Sequence, residues 1–138
     1  MKATVDANIL FAALIRDSAT RRLWLHAGLE LFAPEFIIAE FLKHRPLVIR
    51  KSGADSDELD RLLQQMLKKV IRVPDAELKL FLSAAQSLCK DPDDTRYLAC
   101  ALTKDTIIWS QDRHFKEQTR IKVRTTAELM AQIGGLGK

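Results

Sequence analysis

Cysteine is scarce in this chain, and its placement argues against two chemistries. Cys89 and Cys100, the two cysteines among 138 residues, form no CxxC pattern and have no histidine pair nearby. They read as reduced, packed thiols and not as a zinc site or a disulfide staple. Long apolar runs are also missing. No stretch approaches the ~18 residues that a membrane span requires. The first strand begins at Lys2, which leaves no room for a signal peptide, so the expected location is the cytoplasm, with no membrane partner. No internal repeat, low-complexity tract or interdomain linker interrupts the sequence. A chain of this length can bury roughly two-thirds of its unfolded surface around one core. The expected organisation is one domain over residues 1–133, followed by a short flexible tail at 134–138. Hydrophobic residues make up 47% of the chain and charged residues 29%, the balance of a soluble globular protein.

The formal charge is +4 and the isoelectric point about 9.2. Lys43, His44, Arg45, Arg50, Lys51, Lys68, Lys69, Arg72, Arg113, Lys116, Arg120, Lys122 and Arg124 are candidates for a phosphate-facing surface, because a basic patch speeds association with nucleic acid. Taken by charge alone they read more simply as ordinary solvated faces.

Residues 2–6 read as a buried strand that leads into an apolar helix over 8–15. A second helix runs from about Thr20 to Ala27, after the turn-prone Asp17-Ser18. Glu30 to Ala33 is a strand, and Pro34 opens the next helix, where its missing N–H is no loss. Phe36, Ile37, Ile38, Phe41 and Leu42 cover a wide arc of that helix and are expected to be buried. A loop over 51–55 precedes a helix capped by Ser56 or Asp57 and striped by Leu59, Leu62, Leu63, Met66 and Leu67. Val70 to Val73 is a third strand. Pro74-Asp75 then starts a helix bearing Leu78, Phe81, Leu82 and Ala85, and Asp91-Pro92-Asp93-Asp94 breaks it and begins another that runs to about Thr103. Thr106 to Ser110 is a fourth strand, residues 112–115 form a turn, and Lys122 to Arg124 is a fifth strand. Thr125 or Thr126 caps a last helix that ends at Gly134-Gly135. Strands alternating with single or paired helices indicate a mainly parallel sheet with helices on both faces.

In such a sheet, ligands bind beyond the carboxyl ends of the strands. Asp6 follows the first strand and Asp112 the fourth, so the two suggest one shared acidic pocket attractive to a divalent metal. Each also reads as a polar residue that ends a strand or begins a helix. Asp94 lies in helical phase with Tyr97, Leu98 and Ala101, which turns it inward, although a helix cap is an alternative reading. Asp93, a helical step away, reads as the cap. Glu40 falls beside Lys43 and His44 at the edge of its apolar arc and by itself reads as solvated. Asn8, Ser110 and Arg113 are possible auxiliaries: Asn8 to hold a carboxylate, Ser110 to bind a metal-bound water, Arg113 to approach phosphate. His44 and His114 lack a second histidine or cysteine at metal spacing. Trp24 and Trp109 read as core, with Trp109 able to border the pocket.

Taken together, Val5-Asp6-Ala7-Asn8, Glu40 on the third helix, Asp93-Asp94 ahead of Leu98-Ala99-Cys100-Ala101, and the run Trp109 to Phe115 resemble the PIN-domain ribonucleases, which include the toxins of VapBC-type toxin-antitoxin systems. The closing strand and helix, Ile121 to Leu129, extend the likeness over nearly the whole chain. The resemblance implies a three-layer α/β/α fold around a mainly parallel sheet. It also implies that Asp6, Glu40, Asp94 and Asp112 form the catalytic acidic cluster that holds Mg²⁺ or Mn²⁺. Glu40 is the match to the family's helix acid, with Glu35 the weaker substitute. Ser110 matches the small hydroxyl residue two positions before the last acid, and the segment Lys43 to Lys69 carries no assignable motif.

The chemistry suits these residues. Magnesium takes oxygen ligands, keeps several waters, and commonly binds through a few carboxylates plus substrate phosphate. The activity implied is endonucleolytic hydrolysis of RNA phosphodiesters by a metal-activated water, by the toxin of a toxin-antitoxin pair that is a homodimer with a separate antitoxin partner. Three other readings stand beside it: a PIN-type RNA-processing nuclease without a toxin role, a receiver-like regulator that binds magnesium at strand ends, and a non-catalytic RNA-binding PIN module. A receiver carries an acidic pair after its first strand, whereas a single Asp stands here.

Overall fold

The computed structural model describes residues 1–15 and 18–134. The turn expected at Asp17 and most of the expected tail lie outside those residues. Five short strands form the sheet: β1 (Lys2–Val5), β2 (Glu30–Pro34), β3 (Val70–Val73), β4 (Ile107–Trp109) and β5 (Val123–Arg124). They lie in the order β3-β2-β1-β4-β5, and every pairing is parallel. From β1 the chain winds outward on one side through β2 and β3, then returns to lay β4 and β5 on the other. The strand order therefore reverses between β1 and β4, the position where open α/β sheets form a ligand crevice.

Helices cover both faces. They are α1 (Ala7–Ile15), α2 (Ser18–Trp24), α3 (Phe36–Ser52), α4 (Ser56–Lys68), α5 (Asp75–Leu88), α6 (Pro92–Lys104) and α7 (Thr126–Gly134). This is the three-layer α/β/α arrangement expected from the sequence. Central β1 is buried at Ala3, Thr4 and Val5, because a strand flanked on both faces has no solvent side. The apolar side chains of α4 show the helical counterpart: Leu59, Leu63, Met66 and Leu67 are buried in one stripe, each worth roughly 1.5–3 kcal/mol. Two indoles tie the layers together. Trp24 and Trp109 meet with ring centroids 6.1 Å apart, Trp24 Nε1 donates to the Met66 carbonyl at 2.9 Å, and Trp109 Nε1 donates to Thr126 Oγ1 at 2.9 Å. Trp109 is thus a core residue with no exposure.

Several local expectations are revised. Pro34 closes β2 instead of opening a helix, and α3 begins at Phe36. The Pro34 position in the sheet extends the ladder to Val73, where its carbonyl can still serve although its nitrogen cannot. The helix α3 then continues through Pro46 to Ser52. Leu42, 61% exposed, and Pro46 stand on the same outer face, so the carbonyl that Pro46 leaves without an amide faces water. Leu42 is accordingly not part of the core, while Ile37 and Phe41 are. Gly53 ends α3 at φ 69°, in the left-handed region that favours glycine. Asp55, and not Ser56 or Asp57, caps α4 by accepting the Glu58 amide at 2.8 Å. At α7 a reciprocal box forms: Thr125 Oγ1 accepts from the Glu128 amide and Glu128 Oε1 accepts from the Thr125 amide.

Candidate active site

Asp6 is the first residue beyond β1 and the cap of α1. Its Oδ1 accepts the Ile9 amide at 3.0 Å, so the helix-cap reading holds. Capping occupies only half of the carboxylate. The register pairs Val5 with Trp109, which sets the next residues of the two strands, Asp6 and Ser110, side by side. Ser110 Oγ donates to Asp6 Oδ2 and at the same time accepts the Asp112 amide at 2.9 Å. One buried hydroxyl therefore fixes both strand-end acids. Asp6 is 5% exposed, and burial pushes its pKa up to about 6 against the pull of the Ser110 and Ile9 hydrogen bonds. The nearby charges of Asp112 and Asp94 push in the same direction as burial.

Asp94 enters from α6. The cap of that helix is Asp91, whose Oδ1 accepts the Asp93 amide at 2.9 Å, so neither Asp93 nor Asp94 does the capping. Freed from that task, the half-buried Asp94 carboxyl is pushed up to about 6, first by desolvation, then by Asp91 and Asp112. The Cys89 thiol donates to its Oδ2 at 3.9 Å, a role that sequence spacing did not reveal. Asp112 caps the 3-10 turn Arg113–Glu117. Its Oδ1 accepts the His114 amide at 2.9 Å and lies 2.9 Å from His114 Nδ1. His114, unpromising by metal spacing, thus belongs to the site through a carboxylate.

Glu40 is linked to α6 and not directly to the other three acids. Its Oε1 accepts the hydroxyl of Tyr97 at 2.9 Å, and the phenol, buried on α6, also feels the charge of Asp6. Burial first and Glu40 second hold Tyr97 far above the ordinary tyrosine range. Tyr97 read from the sequence only as a core residue in phase with Asp94. The available signal was that a buried tyrosine hydroxyl needs a partner. Glu35 is exposed and its side chain caps nothing. Asn8 is exposed and makes no side-chain hydrogen bond to the four acids among the described residues.

Two open clefts flank the cluster. One of about 590 Å³ is lined by Cys89, Asp91, Asp94, His114 and Glu117, among others. The second, about 510 Å³, lies against Ser110, Asp112, Arg113 and Lys116. Arg113 is exposed there, whereas Lys116 is paired with Glu128 at 2.8 Å. Four of the other basic residues are engaged elsewhere. Arg45 is fastened to Asp60 and Ser56, Lys69 donates to the His26 carbonyl, and Arg120 and Lys122 line a cavity with Lys2 at the opposite end of the sheet.

Among the described residues, no group of three or more carboxylate, imidazole or thiol side chains is arranged so that it could hold a metal ion. The donor chemistry still fits a hard cation. Asp6, Asp94 and Asp112 offer only carboxylate oxygens, and Mg²⁺ commonly uses one or two carboxylates while waters and phosphate complete its octahedron. Burial is the first cause of the raised Asp6 and Asp94 pKa values, and the neighbouring carboxylates add to it.

No curated protein is significantly similar to the chain in sequence. Its fold is similar to a solved structure described as VapBC2 from Rickettsia felis bound to a DNA fragment from their promoter. The TM-score is 0.69 at 14% identity, over 91% of this chain and 98% of that one. At that identity the likeness speaks for the fold alone. The model of the PIN domain matches residues 4–133, nearly the full span of the sheet and its helices, and the chain therefore belongs to the PIN domain family, a family of nucleases.

Proposed function

We propose that this PIN domain is a metal-dependent endoribonuclease that hydrolyses RNA phosphodiesters at the Asp6, Glu40, Asp94 and Asp112 cluster. The observation that carries the reading is Ser110 bridging Asp6 and the Asp112 amide across the strand-order reversal between β1 and β4, with the charge of Asp94 felt by Asp6. A bound Mg²⁺ or Mn²⁺ would supply a water acidified toward neutral pH and positive charge beside the phosphate. Asp6, Glu40, Asp94 and Asp112 would hold the ion. Ser110 keeps Asp6 and the Asp112 backbone in fixed relation, so little ordering remains to be done when substrate arrives. Ser110 has its proton committed to Asp6, which favours this bracing role over contact with water. Arg113, exposed beside Asp112, would meet a substrate phosphate.

The toxin role, a separate antitoxin chain, a homodimer and a cytoplasmic location complete the proposal. The resemblance of the acid pattern to VapBC toxins supports the first three. No helix among the described residues is long and apolar enough to cross a membrane.

The test is calorimetric and catalytic. Mg²⁺ or Mn²⁺ should bind the purified protein, binding should be lost in the Asp6→Asn, Asp94→Asn double variant, and single-stranded RNA should be cut only with the ion present. Metal binding unchanged in the double variant would place the site elsewhere. A folded, metal-loaded protein inert toward a diverse RNA pool would leave a binding module.

A further inference from the structure

We infer that Tyr97 is a positioning residue for Glu40, tying the α3 acid through its single hydroxyl to α6, the helix that also carries Asp94. The inference rests on the nuclease reading above and adds a residue that the acid pattern does not contain.

Glu40 stands on α3, a helix that shares no strand end with the other acids. What relates it to them is α6. Asp94 and Tyr97 lie three residues apart on that helix and so on one face. Tyr97 is 2% exposed, and its hydroxyl reaches across to Glu40 Oε1 at 2.9 Å. The side chain of Glu40 makes no other hydrogen bond among the described residues, so Oε2 stays uncommitted. The ring of Tyr97 is held as well as its hydroxyl. Phe36, one turn before Glu40 on α3, meets the Tyr97 ring edge-on with centroids 6.4 Å apart, and the Arg96 guanidinium covers Phe36 at 4.1 Å. Two consecutive residues of α6 thus grip α3 one turn from Glu40, and the phenol fixes the carboxylate.

A hydrogen bond to one oxygen fixes the rotamer of a carboxylate and leaves the other oxygen presented in one direction. Partners of this kind are worth roughly ten- to a hundredfold in metal affinity or activity when they orient a ligand. Phenylalanine at this position would preserve the ring packing and remove only the orientation. Tyr97 itself stays neutral and a donor, because a phenolate here would be buried beside Glu40 and Asp6.

Tyr97 is the one tyrosine of the chain, which makes the test specific. Protein labelled with carbon-13 at the tyrosine ring carbon bearing the hydroxyl gives a single signal. That signal should move in Glu40→Gln without metal, and should move when Mg²⁺ is added to the wild type. Tyr97→Phe should keep a cooperative melt, weaken Mg²⁺ binding by roughly ten- to a hundredfold, and lower kcat for single-stranded RNA more than it raises KM. A wild type that binds Mg²⁺ and cuts RNA, with Tyr97→Phe its equal and the tyrosine signal unmoved by the ion, overturns the positioning role and leaves the nuclease reading intact. A wild type that neither binds Mg²⁺ nor cuts RNA overturns both. If Tyr97→Phe does not fold, the tyrosine signal of the folded wild type decides: movement with Mg²⁺ supports the role, and its absence overturns it.

Discussion

Ser110 gives its hydroxyl proton to Asp6, a residue 104 positions away in the sequence, and in doing so locks the end of β4 to the end of β1. The same oxygen accepts the Asp112 amide, so both strand-end acids depend on it. Replacing Ser110 by Ala leaves a buried carboxylate oxygen and an amide without partners. A loss of about 1–3 kcal/mol is expected in urea unfolding. Because the Ser110 hydrogen bond holds the Asp6 pKa down, the variant should also titrate Asp6 higher than the wild type. A Ser110→Ala protein as stable as the wild type, with an unchanged Asp6 titration, would show that the hydroxyl braces nothing.

The acids should make the metal-free protein sensitive to pH in a defined direction. Asp6 titrates near 6 in the folded chain, against an ordinary value of 3.8. Between those values the native state holds the extra proton, so the stability this group allows is full below about pH 4 and declines as pH rises through about 6. Asp94 shifts the same way. In EDTA, Asp6→Asn should gain on the wild type by about 3 kcal/mol between roughly pH 4 and pH 7, since the amide carries no charge to desolvate. Urea unfolding across that range checks it, and a pH-independent difference would contradict it. Added Mg²⁺ should raise the melting temperature more at neutral pH than below pH 6, where protons compete with the ion.

Asp94→Asn should leave the fold intact, because Asp91 and not Asp94 caps α6. Cleavage of single-stranded RNA should fall on the order of 10²–10³-fold, the scale on which charge stabilisation acts in an active site. EDTA should abolish the wild-type activity. A thermal melt alongside the assay separates chemistry from folding, and retained cleavage in a folded variant would remove Asp94 from the site.

Salt dependence should report recognition separately from chemistry. Arg113 is exposed beside the acids, and Lys116 is already paired with Glu128. Arg113→Ala should therefore weaken RNA binding and reduce the slope of log affinity against log salt by about one, with Lys116→Ala having the smaller effect. Filter binding over a salt series in EDTA, with the cleavage-impaired Asp94→Asn protein as background, measures this. An unchanged slope in the Arg113, Lys116 double variant would move the guiding surface to Lys43–Lys51 or Lys68–Arg72.

Much of the fold was legible because its signals are local. The apolar run before Asp6 and the one before Asp112 read as strands, and the phase of Asp94 with Leu98 and Ala101 turned it inward, with no knowledge of what it would meet. Pro34 and Leu42 were misread for a related reason. A proline after a strand looks like a helix start, and an apolar residue on a helix looks buried, until the neighbours of β2 and α3 are known.

The sequence by itself determined the alternation of strands and helices, the acids at two strand ends and the inward turn of Asp94, because each depends on residues close together in the chain. Only the tertiary structure decided that Ser110 serves Asp6, that His114 leans on Asp112 and that Glu40 answers to Tyr97. Those relations follow from the register that pairs Val5 with Trp109 and from the packing of α6 against α3. Hydrogen bonds act over about 3 Å, and no pattern along one chain specifies which distant atoms arrive within that range.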